Sequence, residues 1–101
     1  MSFTPSDTAF EIVEKEAIAD LHFSADDVLT DPLDILRRRA DAERAVTLGN
    51  AHHGKLDIYF QVADGRVMRV ATTVWANHGE YMSLKSSLTL PIRAVLGFDF
   101  Y

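Results

Sequence analysis

The sequence predicts an α+β fold, with N-terminal helices followed by a five-stranded, strongly bent antiparallel sheet or small barrel. Three observations predict it. Apolar residues recur at helical spacing up to Gly49-Asn50 and alternate with polar ones afterwards. Helix-start signals stand at Thr4-Pro5 and Asp31-Pro32. Turn residues, Asp64-Gly65 and His78-Gly79, separate the alternating runs of the second half.

The 101 residues fit one domain, 1–101, with a helical part over 1–48 and a β part over 49–101. Apolar residues make up 48% and charged residues 25%, a globular composition. There is no cysteine, so disulfide frameworks, thiolate metal sites and cysteine nucleophiles are excluded. The start, MSFTPSDTAFEIVEKE, lacks the basic cluster and apolar run of a secretory leader. No window approaches the roughly 18 apolar residues of a membrane helix. A cytoplasmic protein without a membrane partner is the expectation. The net charge of −5 disfavours a polyanion partner, because non-specific nucleic-acid affinity comes from Lys and Arg.

Thr4-Pro5-Ser6-Asp7 reads as a capped helix start, and the helix should run to about Asp20. Phe10, Val13, Ala17 and Leu21 would form its core face. Ser24-Ala25-Asp26-Asp27 repeats the capping grammar and opens a short turn through Val28 and Leu29. Asp31 then caps a further helix from Pro32 to about Val46. That helix has two apolar stripes. Leu33, Leu36 and Ala40 lie on one side; Ile35, Ala42 and Val46 lie roughly opposite. It should therefore touch two surfaces, and a partner subunit is one option for the second. Arg37-Arg38-Arg39 points in three directions on a helix, each Arg with an acid at i±4 (Asp41, Asp34, Glu43). The expectation is a solvated, self-neutralising face.

In the second half, Leu56, Ile58, Phe60 and Val62 alternate with polar residues as in a half-buried strand. The next run, Arg66 to Ala76, is apolar on both parities, so turn geometry must orient it. A three-residue loop, Ala63-Asp64-Gly65 with Gly65 left-handed, pairs Met68 with Phe60, Val70 with Ile58 and Thr72 with Leu56. It leaves Arg69 beside Tyr59 on the outer face. The same reasoning at Asn77-His78-Gly79 pairs Val74 with Met82, Thr72 with Leu84 and Trp75 with Tyr81. Glu80 to Lys85 and Leu88 to Leu90 follow as strands. Pro91 to Ala94 reads as a 3₁₀ turn. Val95 to Tyr101 is a last strand with Leu96, Phe98 and Phe100 on one parity.

Residues from about Val46 to Tyr101, VWANHGEYMSLKSSLTLPIRAV above all, resemble short uncharacterised bacterial proteins with SH3-like or Sm-like barrels. Their closing strand follows just such a turn, so the resemblance implies a small barrel. The glycine-and-asparagine RNA-contact motifs of Sm-like barrels are absent.

No motif with catalytic or cofactor-binding spacing is present. No metal site is expected from His22, His52, His53 or His78, and the carboxylates Asp57, Asp64, Glu80 and Asp99 suggest no pair. The candidate surface is the outer face carrying Tyr59, Arg69, Trp75 and Tyr81, because aromatic and Arg groups are enriched at interface centres. The expected function is non-catalytic protein–protein binding, with homodimerisation as its simplest form. The alternatives are a nucleic-acid-binding barrel using Arg66, Arg69, Lys85 and Arg93, and an enzyme with an unrecognised carboxylate or histidine site.

Overall fold

The computed structural model of the chain describes residues 9–52 and 54–100. One long helix packs against two sheets, of four and three strands. Strand β1 is Glu11–Val13, followed by a 3₁₀ helix over Lys15–Asp20. Helix α1 is Pro32–His52. Then come β2 (Leu56–Gln61), β3 (Val67–Thr72), β4 (Val74–Asn77), β5 (Tyr81–Leu84), β6 (Leu88–Pro91) and β7 (Val95–Asp99). The first sheet has the order β1-β3-β2-β7 and the second β4-β5-β6.

The fold class is α+β, but the expectation of N-terminal helices and five strands in one sheet or barrel is corrected. Neither sheet closes into a barrel, and the described residues form seven strands. One extra strand arises at the N-terminus. The expected first helix begins at Thr4, outside the described residues, and where it should continue the chain is extended. Glu11, Ile12 and Val13 lie parallel to β3, opposite Met68, Arg69 and Val70. Short isolated helices are marginal, and β-branched residues beside an open sheet edge gain ladder hydrogen bonds instead. After β1 the 3₁₀ period of three replaces 3.6. It aligns the buried Ile18 with Leu21, which packs on the core with Val13.

Ser24 to Leu29 forms side-chain turns, with the Asp26 amide donating to Ser24 Oγ (3.2 Å) and the Leu29 amide to Asp27 Oδ1 (2.9 Å). Asp31 caps α1 as expected, accepting from the Leu33 amide at 2.9 Å. The helix runs past Val46 to His52, straight through Gly49-Asn50. Gly49 is there for proximity. A Cβ on it would sit 2.1 Å from the Val74 carbonyl oxygen of β4, so only glycine lets α1 lie this close to the second sheet.

The β2–β3 hairpin has the expected register, Leu56 with Thr72, Ile58 with Val70, Tyr59 with Arg69 and Phe60 with Met68. Its loop is closed by the Gly65 amide on the Val62 carbonyl (2.9 Å) and the Val62 amide on the Arg66 carbonyl (3.0 Å). Gly65 has φ +94°, the left-handed value the bulged loop requires.

The run Arg66 to Ala76 is not one strand. It breaks at Thr73, and its two halves serve different sheets, which is the other source of extra strand count. The second hairpin is also shifted. Val74 pairs with Leu84, not Met82, and a bulge at Trp75 then brings Ala76 opposite Ser83 and Asn77 opposite Met82. A bulge adds local twist, which a chain crossing between two sheets needs. At Val74 the slip is two residues, so side-chain parity survives. Val74, Met82 and Leu84 are buried as expected although their pairing differs.

The Ile92–Ala94 3₁₀ turn stands where the sequence placed it. In β7, Tyr59 pairs with Gly97 and Phe60 with Val95, so Leu96 is an extra residue in a bulge. The expected Leu96-Phe98-Phe100 stripe is thereby corrected to Val95, Phe98 and Phe100. Val95 is fully buried and the two phenylalanines pack on the core. That core, centred on Leu56, Ile58, Phe60, Val70, Val74, Met82, Leu84 and Leu90, lies between the sheets. No helix among the described residues is long and apolar enough to cross a membrane.

Candidate functional site

Of the four residues read as an outer surface, the structure brings two together. Tyr59 on β2 faces Arg69 on β3. They are not open to solvent: Tyr59 is only 2% exposed. The Phe10 ring, just before β1, meets Tyr59 edge-on with centroids 5.3 Å apart, and the Arg69 guanidinium carbon lies 5.0 Å from the Phe10 centroid. Arg69 Nε also lies 3.9 Å from Asp57 Oδ2. The N-terminal segment thus covers this half of the face, as a strand rather than a helix.

Trp75 and Tyr81 belong to the other sheet and are not cross-strand partners, because Trp75 sits in the bulge. Trp75 is half-buried. Tyr81 is exposed and stacks on His78 at 4.6 Å, and His78 Nε2 is 2.9 Å from Ser83 Oγ. The four residues therefore divide into a covered pair and an exposed hairpin.

A groove of about 740 Å³ opens between the first half of α1 and the β4–β5 hairpin, with Ile35, Arg39, Glu43, Asn77, Glu80 and Arg93 among its walls. At its base Arg38 is 5% exposed. Its Nη1 donates to Asp27 Oδ1 (2.8 Å) and to the Val95 carbonyl (3.0 Å), and its Nη2 to Asp27 Oδ2 (2.6 Å). This corrects the reading of three solvated arginines. Asp27, eleven positions upstream, takes the role expected of Asp34 and lets the guanidinium be buried with an opposite charge. Burial pushes the Asp27 carboxyl upward. The Arg38 hydrogen bonds, the Leu29 amide and the Arg38 charge together outweigh it and hold Asp27 below its ordinary value. Arg38 Nε, also buried, has no partner among the described residues. On the groove wall, Glu43 Oε1 accepts from Asn77 Nδ2 at 2.9 Å, and Arg93 Nε donates to the Ser24 carbonyl at 2.7 Å.

Three of the four basic residues of the nucleic-acid alternative, Arg66, Arg69 and Arg93, are engaged within the chain. Arg66 Nε donates to Asp64 Oδ2 at 2.8 Å and its Nη1 reaches Glu11 at 3.5 Å. Arg69 and Arg93 have the contacts given above, and Lys85 stands in the turn after β5. Sequence reasoning missed one carboxylate arrangement: β7 sets Asp99 opposite Asp57 across the ladder. Only the β2–β7 register, a long-range pairing, reveals it. Among the described residues no three His, Asp or Glu groups converge on a metal-sized site.

The remaining feature is the outer side of α1. Its inner side is the stripe with Arg38, Ala42 and Ala45, all buried, and Val46 packs on the core. The opposite stripe faces solvent, with Leu33 72% and Leu36 57% exposed and Ala40 exposed beside them. The sequence showed both stripes; among the described residues the structure packs only one of them. Comparison with protein-family models, with curated proteins and with solved structures finds no match to this chain.

Proposed function

We propose that this chain is a non-catalytic protein-binding module that docks through the outer face of α1, with self-association as the simplest form. The observation that carries the reading is the exposure of Leu33 and Leu36 on a helix whose other side already anchors it. A surface leucine alone needs no explanation. Two large ones and an alanine on one stripe do, because fully burying each leucine stabilises by about 1.5–3 kcal/mol. The Tyr59–Arg69 pair supports docking less well, since Phe10 already covers it. The likeness of residues 46–101 to SH3-like proteins belongs to the same proposal. It is supported by a last strand that follows a 3₁₀ turn and lies antiparallel to β2.

Light scattering over a dilution series, together with amide shift mapping on isotope-labelled protein, tests the reading. The mass should rise above the 11.3 kDa monomer with concentration, and the shifts should centre on Leu33, Leu36 and Ala40. Leu36→Glu should abolish both and change folding stability by less than about 0.5 kcal/mol, as for a surface position. A strict monomer up to about 1 mM, a dissociation constant worth only about 4 kcal/mol, sinks self-association. Shifts confined to another surface remove α1 as the docking face.

A further inference from the structure

We infer that two copies of this chain pair their α1 helices antiparallel, about a two-fold axis level with Arg39, burying Leu33, Leu36 and Ala40 of each. The inference rests on the docking role proposed for that face and adds the occupant and its register.

The order of charges along one flank of the stripe favours this register. At 100° per residue Leu33, Leu36, Ala40 and Thr47 form the stripe, and Asp34, Arg37, Asp41 and Arg44 follow one another along one flank. Their signs alternate: acid, base, acid, base. A two-fold axis perpendicular to the helix pair brings the same flank of each copy together, running in opposite directions. Arg37 then stands level with Asp41 of the second copy, and Asp34 with its Arg44. Each acid meets a base, twice over by symmetry. A parallel pair, whose two-fold axis runs along the helices, would instead set this flank against the opposite flank of the second copy, so that these four charges would not meet one another. Within the chain the Arg44 guanidinium carbon lies 4.1 Å from the Phe100 ring centroid.

The apolar residues suit the same register. Ala40 lies nearest the axis, where a small side chain allows two helices to approach closely. Leu36 and Leu33 lie farther out on either side and cover the space between the stripes. A helix pair of about three turns buries less than about 1,200 Å² in total, the range of weak, transient complexes. The association should therefore be half complete only at high micromolar concentration or above.

Because the chain has no cysteine, single-cysteine variants report the register directly. With a rise of about 1.5 Å per residue, position 40 lies about 3 Å along the axis from its own symmetry mate, position 33 about 18 Å from its mate, and positions 33 and 47 of opposite copies about 3 Å apart. Under mild oxidation, Ala40→Cys should give disulfide-linked dimer at least tenfold faster than Leu33→Cys or Thr47→Cys alone. An equimolar mixture of Leu33→Cys and Thr47→Cys should give the mixed dimer. Adding Arg37→Asp to Ala40→Cys should slow linking at least threefold, and adding Asp41→Arg as well should restore it. Leu33→Cys that links to itself as fast as Ala40→Cys means a parallel pair and overturns the inference. So does a dimer by light scattering in which none of these variants links. In both cases the docking role of α1 is judged separately, by whether mass and amide shifts rise together with concentration.

Discussion

Asp27 grips the buried Arg38 guanidinium with both carboxylate oxygens, at 2.8 and 2.6 Å, and this ties the stability of the chain to acid. The folded state holds Asp27 below its ordinary value of 3.8. A group depressed on folding contributes stability that is fully present above its unfolded value and lost as pH falls through the folded one. The loss should therefore begin near pH 3.8 and deepen below it. Asp27→Asn removes the contribution and leaves Arg38 charged and half-partnered in a buried site. Urea unfolding should show the variant weaker than the parent by about 1–3 kcal/mol at pH 7, with the gap narrowing as pH drops below 4. A constant gap from pH 7 to pH 2 would mean that the pair does not titrate with folding. Nothing in the spacing of Asp27 and Arg38, eleven residues apart across a helix start, marks them as partners. The acid at i−4, Asp34, was the legible choice. Burial against β7 decided otherwise, through the Val95 carbonyl.

At the scale of the element, local chemistry was legible and long-range chemistry was not. The β2–β3 register could be read because it depends on one tight loop and on parity within a few residues. The Asp31 cap and the turn before β7 are local in the same sense. Strand β1 depends on an edge more than fifty residues away, and the break at Thr73 on where two sheets diverge, so neither has a signature in its own segment. The candidate face fared likewise. Tyr59 beside Arg69 followed from the hairpin; the Phe10 ring over them did not. Gly49 was read as the boundary between the helical and β parts, because a boundary glycine and a close-packing glycine look alike in sequence. They respond oppositely to alanine. At a simple helix position, Gly→Ala would stabilise by about 1 kcal/mol through propensity. Here the new Cβ would press on the Val74 carbonyl oxygen at 2.1 Å. Gly49→Ala should instead lower stability by about 1–3 kcal/mol, as overpacking does, and lower the thermal midpoint. A midpoint that rises would show that α1 shifts freely on β4.

For the whole molecule, the sheets are joined by packing and by the chain itself, which crosses back from β6 to β7 through Ile92–Ala94. The chain from Val67 to Asn77 passes from one to the other with only Thr73 between β3 and β4. The Lys15–Asp20 helix lies against both β3 of the first sheet and β6 of the second. Core residues from both sheets belong to one cluster, so neither sheet buries its apolar face alone. Among the described residues α1 packs by one side, and its exposed Leu33–Leu36 side is what the proposed association uses.

The hydrogen bond from Arg38 to the Val95 carbonyl spans 57 positions in sequence, while the one to Asp27 spans 11. A contact of such separation closes a long loop, whose entropy cost falls late in folding, after the hairpins have formed. The knot of Asp27, Arg38 and Val95 should therefore act as a kinetic lock. Arg38→Met keeps a long side chain in the same space and removes the charge. In stopped-flow chevron measurements it should leave the folding limb nearly unchanged and speed unfolding by roughly tenfold per 1.4 kcal/mol lost. A folding limb that slows in proportion would place the lock in the nucleus instead. Through that lock, one buried guanidinium sets how long each molecule stays folded rather than how quickly it folds.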